Sequence, residues 1–232
     1  MRSYYHRDRA IPVWPTVLIT IASLLLIFFA IQLASGDQNL IWIQRMAFVP
    51  ASVMQVLSDP WPQWLKAESL RLFSALFLHV EWLHLIGNLA YLWVFGITVE
   101  RAVGHWRFLL LFLLLGGIAN SVVAWQLAES ARPVIGASGG VSAIIGVYLA
   151  LFPSRRMGLW LPLGLYLQFA RVPALLVIGS WFALQLLFSV VGPISGDVAW
   201  WSHIAGFVLG LCAALLLRLI PGQVNLRLRE DD

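Results

Sequence analysis

The sequence predicts an all-α, polytopic membrane protein: a bundle of six transmembrane helices with little chain outside it. Three observations carry this. The 232 residues are 60% hydrophobic and only 11% charged, whereas a soluble domain has about 25% charged residues. Apolar runs long enough to cross a bilayer recur along the chain. With both termini on the cytoplasmic side, eleven of the 15 basic residues fall on inner connections and four on outer ones, as the positive-inside rule requires. A five-span arrangement puts the terminal arginines outside and spoils that asymmetry. The net charge of +4 therefore reflects topology and excludes nothing but a nucleic-acid role. Cys212 is the sole cysteine, so no intrachain disulfide or cysteine metal cage can form.

Each element follows in order. Residues 1–12 read as a cytoplasmic tail carrying Arg2, Arg7 and Arg9. Val13 to Ala34 is apolar and uncharged for 22 residues, too long for the roughly 7–15-residue core of a signal peptide, and is expected to stay as a first span. The mixed segment at about 36–78 holds Trp42, Trp61 and Trp64 among charges. It is expected to be a structured insertion in or on the outer leaflet, since tryptophan favours the headgroup level. Trp82 to Val99 is the second span, closed by Glu100, and Phe108 to Trp125 the third. Ser138 to Phe152 is the fourth. Gly158 to Gln168, broken by Pro162 and glycines, reads as interfacial; Val172 to Val191 is the fifth span and Trp201 to Leu217 the sixth. The bundle thus covers 13–218, and 219–232 is a second cytoplasmic tail.

The fourth span organises the chemistry. Its 15 residues reach only about 22 Å, short of the roughly 30 Å hydrocarbon core. Pro153 and the pair Arg155 and Arg156 mark its far end as interfacial, so the Ser138 end is submerged. Pro133 stops any preceding helix, and Gly136, Gly139 and Gly140 let the backbone bend and neighbours approach. A serine there is either a helix cap or a nucleophile beside unpaired N–H groups. A non-helical approach to a submerged helix is tolerated only within protein or beside a wet cavity, which makes Ser138 more than a cap.

The second, fourth and sixth spans all run inward, so His84, Asn88, Ser138 and His203 fall at one level just below the outer surface. His84 and Asn88 share a helix face, one turn apart. Polar side chains in spans usually face the interior. Gly206 and Gly210 form a Gly-x-x-x-Gly pair that permits close helix contact. A serine nucleophile needs a base, and His203 or His84 can serve. Asn88, the other histidine and the N–H groups around Ser138 can stabilise an oxyanion. Asp197 and Glu100 stand too far off to orient the histidine, so a Ser-His dyad is more economical than a triad. His79 and His84 lie five apart, about 140° around a helix, which argues against a zinc site of the His-Glu-x-x-His kind. Gly136, Ser138 and Gly140 match Gly-x-Ser-x-Gly, but that elbow needs a preceding strand.

These pieces — His79, the run from His84 to Asn88, Gly136 to Gly139, and His203 with Gly206 and Gly210 — resemble the rhomboid family of intramembrane serine proteases. Arg71, Glu100 and Gly104 also fit. The resemblance implies that Ser138 is the nucleophile and His203 the general base. His84, Asn88 and the Ser138 N–H would form the oxyanion hole. Gly136 and Gly139 would shape the serine loop, Gly206 and Gly210 would pack the sixth span on the fourth, and Arg71 and Glu100 would support the frame. The fifth span would gate entry. The implied substrates are single-span membrane proteins in a lipid bilayer, cleaved without cofactor or metal. The implied location is a bacterial inner membrane, consistent with the absence of an organelle presequence. The alternative is an inactive relative that binds transmembrane clients, but such relatives usually lack the serine or histidine. A small transporter is a third class, for which intramembrane carboxylates and broken-helix repeats are not evident. Two departures stand out. Leu70 precedes Arg71 where the family has tryptophan. Ser142 occupies the position from which an aromatic ring would stack on the catalytic histidine, so the orientation of His203 must rest on packing or on another residue.

Overall fold

The computed structural model describes residues 15–34, 37–58, 66–163, 166–191, 200–220 and 224. The expected tail at 1–12, most of the tail at 219–232, Trp61, Trp64 and the connection at 192–199 with Asp197 lie outside the described residues.

Helix α1 (Pro15–Leu33) is the first span. The mixed segment folds as three short helices, α2 (Gln38–Met46), α3 (Pro50–Leu57) and α4 (Ala67–Ser74), the last ending in a 3₁₀ turn at Ala75–Phe77. The second span is α5 (Trp82–Tyr91) and α6 (Ile97–Val103), continuous through a π turn at Leu92–Gly96. It runs past Glu100, where the sequence reading ended it, because the chain stops being helical only at Gly104, whose φ of 87° favours glycine. The third span is α7 (His105–Leu110) and α8 (Gly116–Gln126), joined by a π turn at Leu111–Leu115. Helices α9 (Ser138–Leu151), α10 (Ala174–Val191) and α11 (Trp200–Leu219) follow.

Among the described residues five helical stretches are long and apolar enough to cross a membrane; α9, of 14 residues, is a shorter apolar helix. At 1.5 Å per residue α9 is about 21 Å long. Every residue from Gly139 to Leu151 is buried. A helix that is apolar all round belongs at the centre of its bundle, and the main core cluster forms around it, with Phe28, Phe108, Phe112 and Phe152 almost fully enclosed.

One element departs from the sequence reading. The stretch around 158–168, read as interfacial with no strand expected, is a two-stranded antiparallel hairpin, β1 (Arg156–Leu163) and β2 (Tyr166–Pro173), in a ladder from Arg156 opposite Pro173 to Leu163 opposite Tyr166. Pro162 sits near its tip, and an edge position tolerates the missing N–H.

The small helices buttress the chain that leads to α9. Phe48 and Val134 exchange two backbone hydrogen bonds, 3.3 and 2.8 Å, and Ala51 N–H bonds the Ser130 carbonyl at 3.1 Å. Arg71 Nε donates to the Arg45 carbonyl at 3.0 Å, tying α4 to α2. At another corner the Glu100 carboxylate accepts the Thr16 and Val17 N–H groups at 3.1 and 2.9 Å and bonds His105 Nδ1. An anion at the first turn of α1 satisfies donors that no helical carbonyl can reach.

Candidate functional site

Ser138 opens α9, so its own N–H and the next ones have no carbonyl a turn behind them. The approach to it is pinned almost residue by residue: Val134 by Phe48, Gly136 N–H by the Ala75 carbonyl at 2.9 Å, and Ala137 N–H by His79 Nε2 at 3.4 Å. Gly136 takes φ 123°, which L side chains rarely adopt. A Cβ there would also lie 2.6 Å from His84 Cε1. The His84 ring therefore packs on the bare backbone of the serine loop.

Asn88, one turn below His84, is buried and donates through Nδ2 to His79 Nε2 at 2.9 Å. With Asn88 and Ala137 both donating to Nε2, the His79 proton sits on Nδ1. That nitrogen has no partner in hydrogen-bond geometry among the described residues. Burial, reinforced by neighbouring His84, pushes His79 down to about 3, so it is a neutral acceptor at any ordinary pH. An amide carries two donors, so the second Asn88 N–H stays available. The His79 and His84 rings lie edge to face, 5.0 Å apart.

Helix α11 meets α9 through backbone. A Cβ on Gly206 would strike the Gly139 carbonyl, one on Gly210 the Ala143 carbonyl, and one on Gly139 the Ser202 hydroxyl. Glycines at these positions let two helices pack main chain against main chain. Ser138 and His203 are the chain neighbours of Gly139 and Ser202, so they flank this contact at one level. Ser202 Oγ also donates to Asn120 Oδ1 at 3.3 Å, and Asn120 Nδ2 to the Leu72 carbonyl at 2.8 Å, linking α11, α8 and α4. The structure thus packs Gly139, next in the chain to Ser138, against Gly206 and against Ser202, next in the chain to His203, and Gly210 against Ala143, while His84 meets Gly136 and Asn88 meets His79. Arg71 and Glu100 lie in the frame, on α4 and α6. No hydrogen bond joins Ser138 Oγ to His203 among the described residues; catalytic pairs are often long in an empty site and tighten around substrate.

Three contributors were missed from sequence. Gln185 of α10 is buried and its Oε1 lies 2.9 Å from His203 Nδ1. Trp200 sets its ring edge-on to His203, 5.9 Å away at 85°. His79 was read as part of a motif and proves to hold both Asn88 and the serine loop. The signal for Gln185 was present: it is a lone amide in an otherwise apolar run, and such residues face the bundle interior. Among the described residues no three metal-binding side chains gather.

A family model, the Rhomboid domain, matches residues 66–220, which is more than half of the chain and includes every residue of this cluster. The chain belongs to the rhomboid family. That is the family of intramembrane proteases, and this rhomboid is a multi-pass membrane protein. The short central helix, the serine at its open end and the glycine-packed partner helix all lie within the matched stretch, which begins within the small-helix buttress and runs to the end of α11.

Proposed function

We propose that this rhomboid is an active serine endopeptidase that cleaves single-span membrane proteins within or beside the bilayer. One observation supports the reading: Gly139, the neighbour of Ser138, packs against Gly206 and against Ser202, the neighbour of His203, while His84 lies against Gly136 of the serine loop and Asn88 bonds His79. Ser138 Oγ attacks the scissile carbonyl as His203 Nε2 takes its proton. The developing oxyanion accepts from the Ser138 N–H, the free Asn88 N–H and His84. The imidazolium then returns its proton to the leaving amine. Water, deprotonated by the same imidazole, hydrolyses the acyl-enzyme. A helical substrate hides its peptide bonds in internal hydrogen bonds, so it must unwind at this site, and helix-weakening residues near the cut favour cleavage.

The topology goes with this reading. Both termini are cytoplasmic, the dyad lies below the outer surface of a bacterial inner membrane, and the bundle spans 13–218. Residues 1–12 and 219–232 are tails, and the segment at 36–78 is partly embedded. Reporter fusions at either end test the orientation. Cleavage of a single-span substrate in proteoliposomes tests the activity: wild type should cut it and Ser138→Ala should not. An inactive client-binding rhomboid would retain the substrate uncut in both forms.

A further inference from the structure

We propose that Gln185, on α10, is a positioning residue for the base: its Oε1 holds Nδ1–H of His203 and so leaves Nε2 as the lone pair that faces the serine. The inference rests on the protease reading above.

Four observations lead there. First, Ser142, one turn beyond Ser138, is too short to brace the imidazole. Second, α10 is apolar from Ala174 to Val191 except for three side chains. Two of these, Ser180 and Ser189, bond carbonyls of their own helix, Val177 and Leu186. Among the described residues only Gln185 reaches a polar group of another helix. Third, Gln185 is 8% exposed, and a buried amide left unpaired is costly, so the bond is no incidental contact. Fourth, the Trp200 ring that flanks His203 stacks on Phe188 of α10, with centroids 5.3 Å apart. Helix α10 therefore fixes the imidazole twice, by its N–H and, through Trp200, by its edge.

The chemistry suits a neutral orienter. The proton from Ser138 goes to Nε2. Nδ1–H is never transferred and stays shared with the Gln185 carbonyl oxygen while the ring is cationic. A carboxylate would do the same more strongly, but an unpaired charge in a span is far more costly than an amide. The opposite amide orientation would donate to Nδ1 and force the proton onto Nε2, which disables the base. Among the described residues the titratable side chain whose charge acts on His203 is His84 of α5; Gln185 and Ser138 are uncharged.

A second consequence concerns α10 itself. It has the least buried of the five spanning stretches, 17%, so it is the one most free to move. An outward displacement of α10 breaks the Gln185–His203 bond, and the base is oriented only while α10 is docked.

The test uses the full chain in proteoliposomes, taken from the monodisperse fraction, with a single-span substrate. Rates are followed from pH 5 to 9 for wild type, Gln185→Leu, Gln185→Glu and Ser138→Ala. Gln185→Leu keeps the volume and loses the acceptor: kcat should fall about ten- to a hundredfold with KM nearly unchanged. Gln185→Glu can accept but not donate. It should retain activity well above the leucine variant, with the acid limb of its pH profile moved up by about one unit or more. A leucine variant matching wild type in kcat and pH profile overturns the inference, as does a glutamate variant no better than leucine. Should wild type cleave no faster than Ser138→Ala, the protease reading itself fails and takes this inference with it. Serine-dependent cleavage that ignores Gln185 removes only the inference.

Discussion

Two helices flank the serine helix in opposite ways. Helix α11 packs on α9 with glycine against main chain, at Gly206, Gly210 and, from the α9 side, Gly139 and Gly146. Apart from the Ser202 hydroxyl against Gly139, what an added side chain would first meet across this contact is backbone. Helix α10 touches the bundle through aromatic side chains instead: Phe182 stacks on Phe207 at 4.4 Å and Trp181 approaches the same ring edge-on at 6.1 Å. Most of its large residues, from Leu175 to Val191, are exposed. On the proposed reading the rigid contact places the nucleophile and base, and the loose one turns the base, so placement and orientation fall to differently packed parts of the molecule.

The comparison can be broken or sharpened at several points, here from the largest effect to the smallest. Ser138→Ala should reduce proteolysis by about a thousandfold or more without changing the melting temperature; retained activity there contradicts the dyad. Gly206→Val drives a side chain into the Gly139 carbonyl and should lower stability by about 1–3 kcal/mol or more, with activity falling alongside, as read by thermal unfolding in detergent. Asn88→Ala should lower kcat by about a hundredfold with KM little affected, since it removes a donor and frees His79. Glu100→Ala strips the anion from the first turn of α1 and should cost about 1.5–3 kcal/mol, with the pH profile of cleavage unchanged. On the loose side, Leu187→Ala, at an exposed position of α10, should shift stability by less than about 0.5 kcal/mol. A fall as large as that of Gly206→Val would show that α10 is held far more firmly than its packing implies.

Much of this was legible in the sequence, for physical reasons that differ from element to element. Span boundaries follow from uninterrupted apolar runs, and α1, α9, α10 and α11 lie within about two residues of their expected limits. The shortness of α9 was readable because Ser138 and Pro153 punctuate it sharply. The expectation that His84, Ser138 and His203 share one depth rests on alternating span direction. The hairpin at 156–173 was not legible: its run is apolar on both faces, without the alternation that marks a strand, and Pro162 argues against one. The end of the second span was missed because Glu100 looks like a terminus, whereas its charge is spent on α1 and His105 inside the frame. The partner of His203 was missed because Ser142 stands where the family's aromatic ring would be, and nothing nearby in the chain points to a substitute. The actual one is 18 residues before the histidine, on another helix, a distance no local spacing rule covers.

The central claim is that Ser138 and His203 act on each other. The most direct measurement is the rate at which a fluorophosphonate modifies the full-length protein in membranes, with the modified residue mapped by mass spectrometry. The account predicts a single adduct at Ser138, formed in the wild type and lost in His203→Ala. Labelling of Ser138 at the same rate in His203→Ala, or an adduct on another serine that accounts for the cleavage activity, would contradict it.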